Sequence, residues 1–184
     1  MRMTSMTKKS LGVFFAVTLA ATSLLTSGCS PKAGAAEEDS HSAYEKVAPR
    51  PAPAWKLVDL DGKTVSSADF KGKVVVVDFW ATWCPPCVGE IPGYIEAQKK
   101  LEAQGFTLVG LSLDEIAPAD VKKFVQQKGM NYPIVIANQD VLESFAHVEG
   151  IPATFVIDRE GNIRFQKVGA APIADLEKIA KSLL

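Results

Sequence analysis

Soft ligands are scarce in this chain: among its 184 residues there are three cysteines and two histidines. So few cysteines exclude a miniature scaffold stapled by several disulfides. An excess of one charge is missing as well, with 20 basic against 21 acidic residues and a formal net charge of −1, so electrostatics gives no reason to expect nucleic acid as a partner. There is no internal repeat. The apolar run over residues 11–25 falls short of the roughly 20 residues that span a bilayer, and Thr18, Thr22 and Ser23 interrupt it. What remains is 47% hydrophobic and 22% charged, which excludes wholesale disorder and suits one folded domain. An odd number of cysteines leaves one thiol to be placed.

The first residues carry Arg2, Lys8 and Lys9 and no acid, then the apolar run, then Thr26, Ser27 and Gly28 ahead of Cys29. Charged, apolar and small residues in that order read as a secretory signal over residues 1–28. The segment ending in Cys29 resembles the lipobox of bacterial lipoproteins, although Thr26 stands where a large aliphatic is usual. The resemblance implies lipidation of Cys29 and attachment to a membrane surface.

Residues 29–53 hold one aromatic, Tyr44, one branched aliphatic, Val47, three adjacent acids at 37–39, and Pro49, Pro51 and Pro53. Too little apolar surface is available there to fold, so a flexible tether is expected. Residues 54–184 alternate strand and helix signals and form the folded domain. Strands are expected at 55–60, 74–80, 107–113, 134–136, 154–157 and 163–168, the last two as a hairpin. Helices are expected at about 86–103, 118–128, 140–146 and 172–184, with an irregular segment at 64–70. Val121, Phe124 and Val125 read as the core face of the second of these helices.

Chemistry concentrates at Trp83-Cys84-Pro85-Pro86-Cys87, which follows a buried strand and opens a helix. Free backbone N–H groups and the positive end of the helix dipole favour thiolate at Cys84, the expected nucleophile. Cys87, one turn on, is within reach of it and is expected to be the more buried, resolving thiol. A zinc site would need two further soft ligands, and only His41 and His147 remain. A structural disulfide closing so small a loop would stabilise little. Asp78 interrupts an otherwise apolar strand; burial there raises a carboxyl pKa and suits it to exchange a proton with Cys87.

The segment from Val76 through Cys87, followed by Glu90-Ile91-Pro92, together with Gly150-Ile151-Pro152-Ala153-Thr154-Phe155, resembles the thioredoxin superfamily and its exported TlpA/ResA-like branch of redoxin, or AhpC/TSA-type, domains. The similarity runs from about Trp55 to the C-terminus. It implies an α/β thioredoxin-like fold, with a central mixed β-sheet flanked by helices, an extra N-terminal strand segment and a central strand-helix insert. The 65 positions from Cys87 to Pro152 leave room for that insert. The resemblance also implies a cis bond before Pro152 and a substrate surface made by Trp83, Pro85, Pro86, Ile151 and Pro152. Glu90 is placed where the family has a glutamate that tunes thiol acidity or orients substrate. Asp78 departs from the branch, which often has asparagine, toward thioredoxin itself.

The implied activity is thiol:disulfide exchange, in the direction of a reductase, carried by the dithiol without cofactor or metal. Its implied partners are disulfides in exported proteins, apocytochrome c among them, and a membrane electron donor of the DsbD/CcdA type. The implied location is extracytoplasmic, with the membrane reached through the lipid on Cys29. The alternatives are one other enzyme, a binding module and a non-enzymatic interaction domain. A thiol peroxidase is disfavoured because Val77 and Ala81 occupy the Pro and Thr positions of the peroxiredoxin Pro-x-x-x-Thr-x-x-Cys pattern. A copper-handling dithiol module would draw on His147.

Overall fold

The computed structural model describes residues 43–146 and 148–184. The signal segment, Cys29, the first part of the expected tether, His41 and His147 lie outside the described residues. Among the described residues no helix is long and apolar enough to cross a membrane.

Strand β4 (Val74–Trp80) is buried along its whole length, as a strand covered on both faces must be. The chain contributes β1 (Glu45–Pro51), β2 (Lys56–Asp59) and β3 (Thr64–Ser66) ahead of it. After it come α1 (Pro85–Leu101), β5 (Phe106–Ser112), α2 (Pro118–Lys128), β6 (Ile134–Ile136) and α3 (Gln139–Ser144). The hairpin of β7 (Ala153–Ile157) and β8 (Asn162–Val168) and a terminal helix α4 (Ile173–Leu183) complete it. One eight-stranded sheet results, in the order β1-β8-β7-β4-β5-β6-β2-β3. It is mixed: β4 runs parallel to β5 and β5 to β6, while the other neighbours are antiparallel. This is the thioredoxin-like α/β architecture with additional N-terminal strands, and β6 with α3 lies within the stretch expected to hold the insert.

Alternation along β4 sends its side chains to two different cores. Val74, Val76 and Trp80 join the cluster that includes Cys84, Cys87, Ile91, Tyr94, Val121 and Leu176. Val75, Val77 and Phe79 join the cluster of Trp55, Leu57, Phe70, Phe145 and Phe155. Gly110 of β5 makes the first packing possible, since a Cβ there would lie 2.8 Å from the Trp80 indole nitrogen and 2.6 Å from Ile134 Cδ1.

The expectation of a flexible tether up to residue 53 is corrected. Glu45–Pro51 is an edge strand, paired antiparallel with β8 through Glu45 opposite Gln166 and Lys46 opposite Phe165. Low apolar content prevents a segment from folding on its own; it does not prevent its backbone from completing the edge of a sheet that already exists. Prolines are tolerated at such an edge. Tyr44, the lone aromatic, is buried in the first core, and Ala43 N donates to Asp175 Oδ2 at 3.1 Å. The segment expected to be irregular at 64–70 is a short strand and a single 3-10 turn.

Candidate active site

The C-terminal end of β4 delivers the chain to α1 through Ala81, Thr82 and Trp83. Pro85 and Pro86 open the helix, where a missing N–H costs nothing because the first turn has no internal acceptor for it. Cys84 is the N-cap, and its Sγ accepts a hydrogen bond from Cys87 N at 3.3 Å. The two sulfurs are joined in a disulfide, with Cα atoms 5.3 Å apart. Asp114, just past β5, clamps the approach: it accepts from Thr82 N at 3.1 Å, from Thr82 Oγ1 at 2.5 Å and from Ser112 Oγ at 2.8 Å.

Trp83 is 65% exposed, and Pro85 and Pro86 are exposed beside it. The peptide between Ile151 and Pro152 is cis. Ala153, the next residue, pairs with Phe79 near the end of β4, which brings this loop to the same end of the sheet as the disulfide. Gly169 N donates to Pro152 O at 2.8 Å.

In the disulfide the two cysteines are buried alike. Cys84 and Cys87 are 3% and 2% exposed, so burial does not separate them. In the disulfide each sulfur is bound to the other and neither projects; position alone distinguishes them, Cys84 ahead of the helix and Cys87 within its first turn.

Asp78 is buried, on the face of β4 that α1 covers, and accepts from Thr154 Oγ1 at 3.0 Å. The Thr154 hydroxyl in turn lies 3.4 Å from Tyr94 OH. Desolvation pushes the Asp78 carboxyl up to about 8, the nearby Glu90 charge adds to the rise, and Lys167 with the two hydroxyls opposes it. Glu90 does not project into solvent. Its Oε1 accepts from Lys167 Nζ at 2.5 Å and from Ala171 N at 3.0 Å, while Oε2 is buried without a hydrogen-bond partner. A cavity of about 160 Å³ borders Glu90, Tyr44 and Tyr94.

Lys167, Thr154, Tyr94, Tyr44 and Asp114 are the residues that sequence reasoning missed. Burial raises the phenols of Tyr44 and Tyr94, and the charges of Asp78 and Glu90 reinforce it. Lys167 shares its strand face with Phe165, and the two stand opposite Thr154 and Val156 of β7. Among the described residues no group of three or more His, Cys, Asp or Glu side chains is placed to hold a metal ion.

Residues 49–166 match the model of the AhpC/TSA family. Over 132 residues the chain is 35% identical to the thiol-disulfide oxidoreductase ResA of Bacillus thuringiensis, covering 72% of this chain and 76% of that protein. The chain belongs to the AhpC/TSA family, on its TlpA/ResA-like thioredoxin-superfamily branch. Solved structures agree with that placement. A thiol:disulfide interchange protein of the thioredoxin family from Chlorobium tepidum is 39% identical, with a TM-score of 0.69 over 76% of this chain and 99% of its own. The thioredoxin domain of a thiol-disulfide oxidoreductase from Bacteroides vulgatus is 33% identical, with a TM-score of 0.66 over 75% and 99%. This TlpA/ResA-like protein is a thiol:disulfide oxidoreductase, and its Cys84 and Cys87 are joined in a disulfide.

Proposed function

We propose that the protein works outside the cytoplasm, held at a membrane through Cys29, as a reductase of disulfides in exported proteins, apocytochrome c among them. Its electrons come from a membrane donor of the DsbD/CcdA type. The observation that carries this reading is the exposed Trp83 with Pro85 and Pro86 beside a redox-active pair: an apolar contact surface at a thiol suits a protein substrate. The signal-like segment and Cys29 support the location.

In the reductive direction Cys84 thiolate attacks a substrate disulfide, forming a mixed disulfide and releasing one substrate sulfur as thiolate. Cys87 then gives its proton to the Asp78 carboxylate and attacks Cys84 Sγ. The bond from Cys84 to the substrate breaks, and the second substrate sulfur leaves with its electron pair. Two electrons have passed to the substrate, and the protein is left in the disulfide state seen in the structure.

Substituting Cys87→Ser removes the resolving thiol and tests the reading. Exported proteins linked through Cys84 and released by a reductant are the expected result; capture of none overturns it. A reduction potential near that of thioredoxin, about −270 mV, supports the reductase direction, and one near −120 mV overturns it. Mass spectrometry of the mature N-terminus is expected to find acylated Cys29.

A further inference from the structure

Two carboxyl groups and one ammonium are buried together on the face of the sheet that carries the disulfide. The Lys167 side chain is 1% exposed and that of Glu90 8%, with Nζ and Oε1 2.5 Å apart. The same oxygen takes Ala171 N, so Glu90 is held from two sides while its second oxygen has no partner. Asp78, from β4, meets hydroxyls rather than a cation, Thr154 Oγ1 at 3.0 Å and that of Tyr94. A hydroxyl can donate to a carboxylate or accept from a carboxylic acid, so such a contact tolerates either protonation state. Among the described residues, the other titratable groups acting on the cluster are phenols: Tyr94 from α1, Tyr132 ahead of β6, and Tyr44, whose ring centroid lies 5.4 Å from Lys167 Nζ.

One ammonium neutralises one carboxylate. A second negative charge in the same desolvated space is opposed both by burial and by the first. Contact decides which carboxyl receives the cation. We infer that Lys167 is a positioning residue for the exchange reaction: by pairing with Glu90 it fixes the buried negative charge on α1 and leaves Asp78 as the carboxyl that exchanges a proton with the dithiol. The transfer moves the proton of Cys87 Sγ to Asp78 and no electrons; the pair left on the sulfur forms the bond to Cys84 as the bond from Cys84 to the substrate breaks. The inference rests on Asp78 as the proton partner of Cys87 and adds what selects it over Glu90.

The test is the ¹³C carboxyl titration of Asp78 by NMR in the oxidised protein, with mixed-disulfide resolution followed against pH alongside. Glu90→Gln removes the competing charge and leaves Lys167 facing Asp78, so the Asp78 midpoint is expected to fall by about one pH unit or more, a tenfold change in proton affinity. Lys167→Met removes the cation and is expected to raise it. The double variant, neutral at both positions, is expected to lie between the two, and the inflection of the resolution profile to move in the same senses. A purely structural lysine would not shift the midpoint in opposite directions. Single variants that move it the same way, or not at all, overturn the role of Lys167. If Lys167→Met does not fold, Glu90→Gln and the double variant decide, and equal midpoints in those two overturn it. Midpoints that move as stated beside an unmoved resolution profile overturn the reading of Asp78 on which the inference rests, and the inference with it.

Discussion

The two faces of the sheet share a backbone and differ in almost every other respect. Toward α3 and the N-terminal hairpin, β4 presents Val75, Val77 and Phe79, and Phe79 packs edge-on against Phe145 and Phe155 with ring centroids 5.3 and 6.0 Å away. Toward α1, α2 and α4 the same strand presents Val74, Val76 and Trp80, with Asp78 in the position between the last two. Around that carboxyl gather Glu90, Lys167, Thr154, Tyr94 and Tyr44. The apolar face can be explained by area removed from water; the polar face cannot, because each polar group there must be matched by a partner or shift its protonation. One face builds the platform, and the other carries the chemistry.

Substitutions can be chosen to separate the two. Cys84→Ser is expected to produce the largest effect, complete loss of protein disulfide reduction, with the fold unchanged by circular dichroism. On the apolar face, Phe155→Ala deletes a fully buried ring and is expected to destabilise by about 3 to 5 kcal/mol in denaturant unfolding. That loss should be nearly the same from pH 5 to pH 9, since no titrating group is involved.

Asp78→Asn should behave in the opposite way. Burial lifts this carboxyl from 3.8 to about 8, so between those values the folded protein holds a proton that the unfolded chain has released. Stability from this group is therefore complete below about pH 4 and is lost as pH rises toward 8. The asparagine variant is expected to match wild type near pH 4 and to exceed it at pH 9 by about 2 to 4 kcal/mol, while exchange slows at neutral pH. Calorimetry across that range checks the sign. An advantage that is constant with pH would mean that Asp78 does not titrate in the folded protein. The smallest change in stability belongs to Trp83→Ala. Loss of an exposed indole should alter stability by under about 0.5 kcal/mol, yet raise the KM for a protein disulfide and leave that for a small one unaffected.

The apolar face was the more legible in the sequence. The β-branched run at 74–80 and the hairpin around residues 158–162 place strands within a residue of where they lie. Cys84, Cys87 and Asp78 were readable because each breaks a local pattern, a thiol at a helix start or an acid in an apolar strand. Lys167 and Tyr44 were not. Lysine at the end of a strand ordinarily reads as solvated, and it is buried here only because Glu90, 77 residues away in sequence, meets it. Tyr44 sits in a segment whose own composition argues against folding, and the free edge of β8 that recruits it is a property of the assembled sheet. Pairings of this kind belong to tertiary structure, and no local window contains them.

The central claim is that the polar face handles the proton that resolution of the mixed disulfide requires. Its most direct measurement is the rate at which Cys87 resolves a preformed mixed disulfide on Cys84, followed from pH 5 to pH 10 in wild type and in Asp78→Asn. The wild-type rate should rise through an inflection near 8, where Asp78 ionises, and the variant should lack that inflection and be slower below it. Superimposable profiles would contradict the claim and leave Asp78 as a buried acid without a part in the exchange.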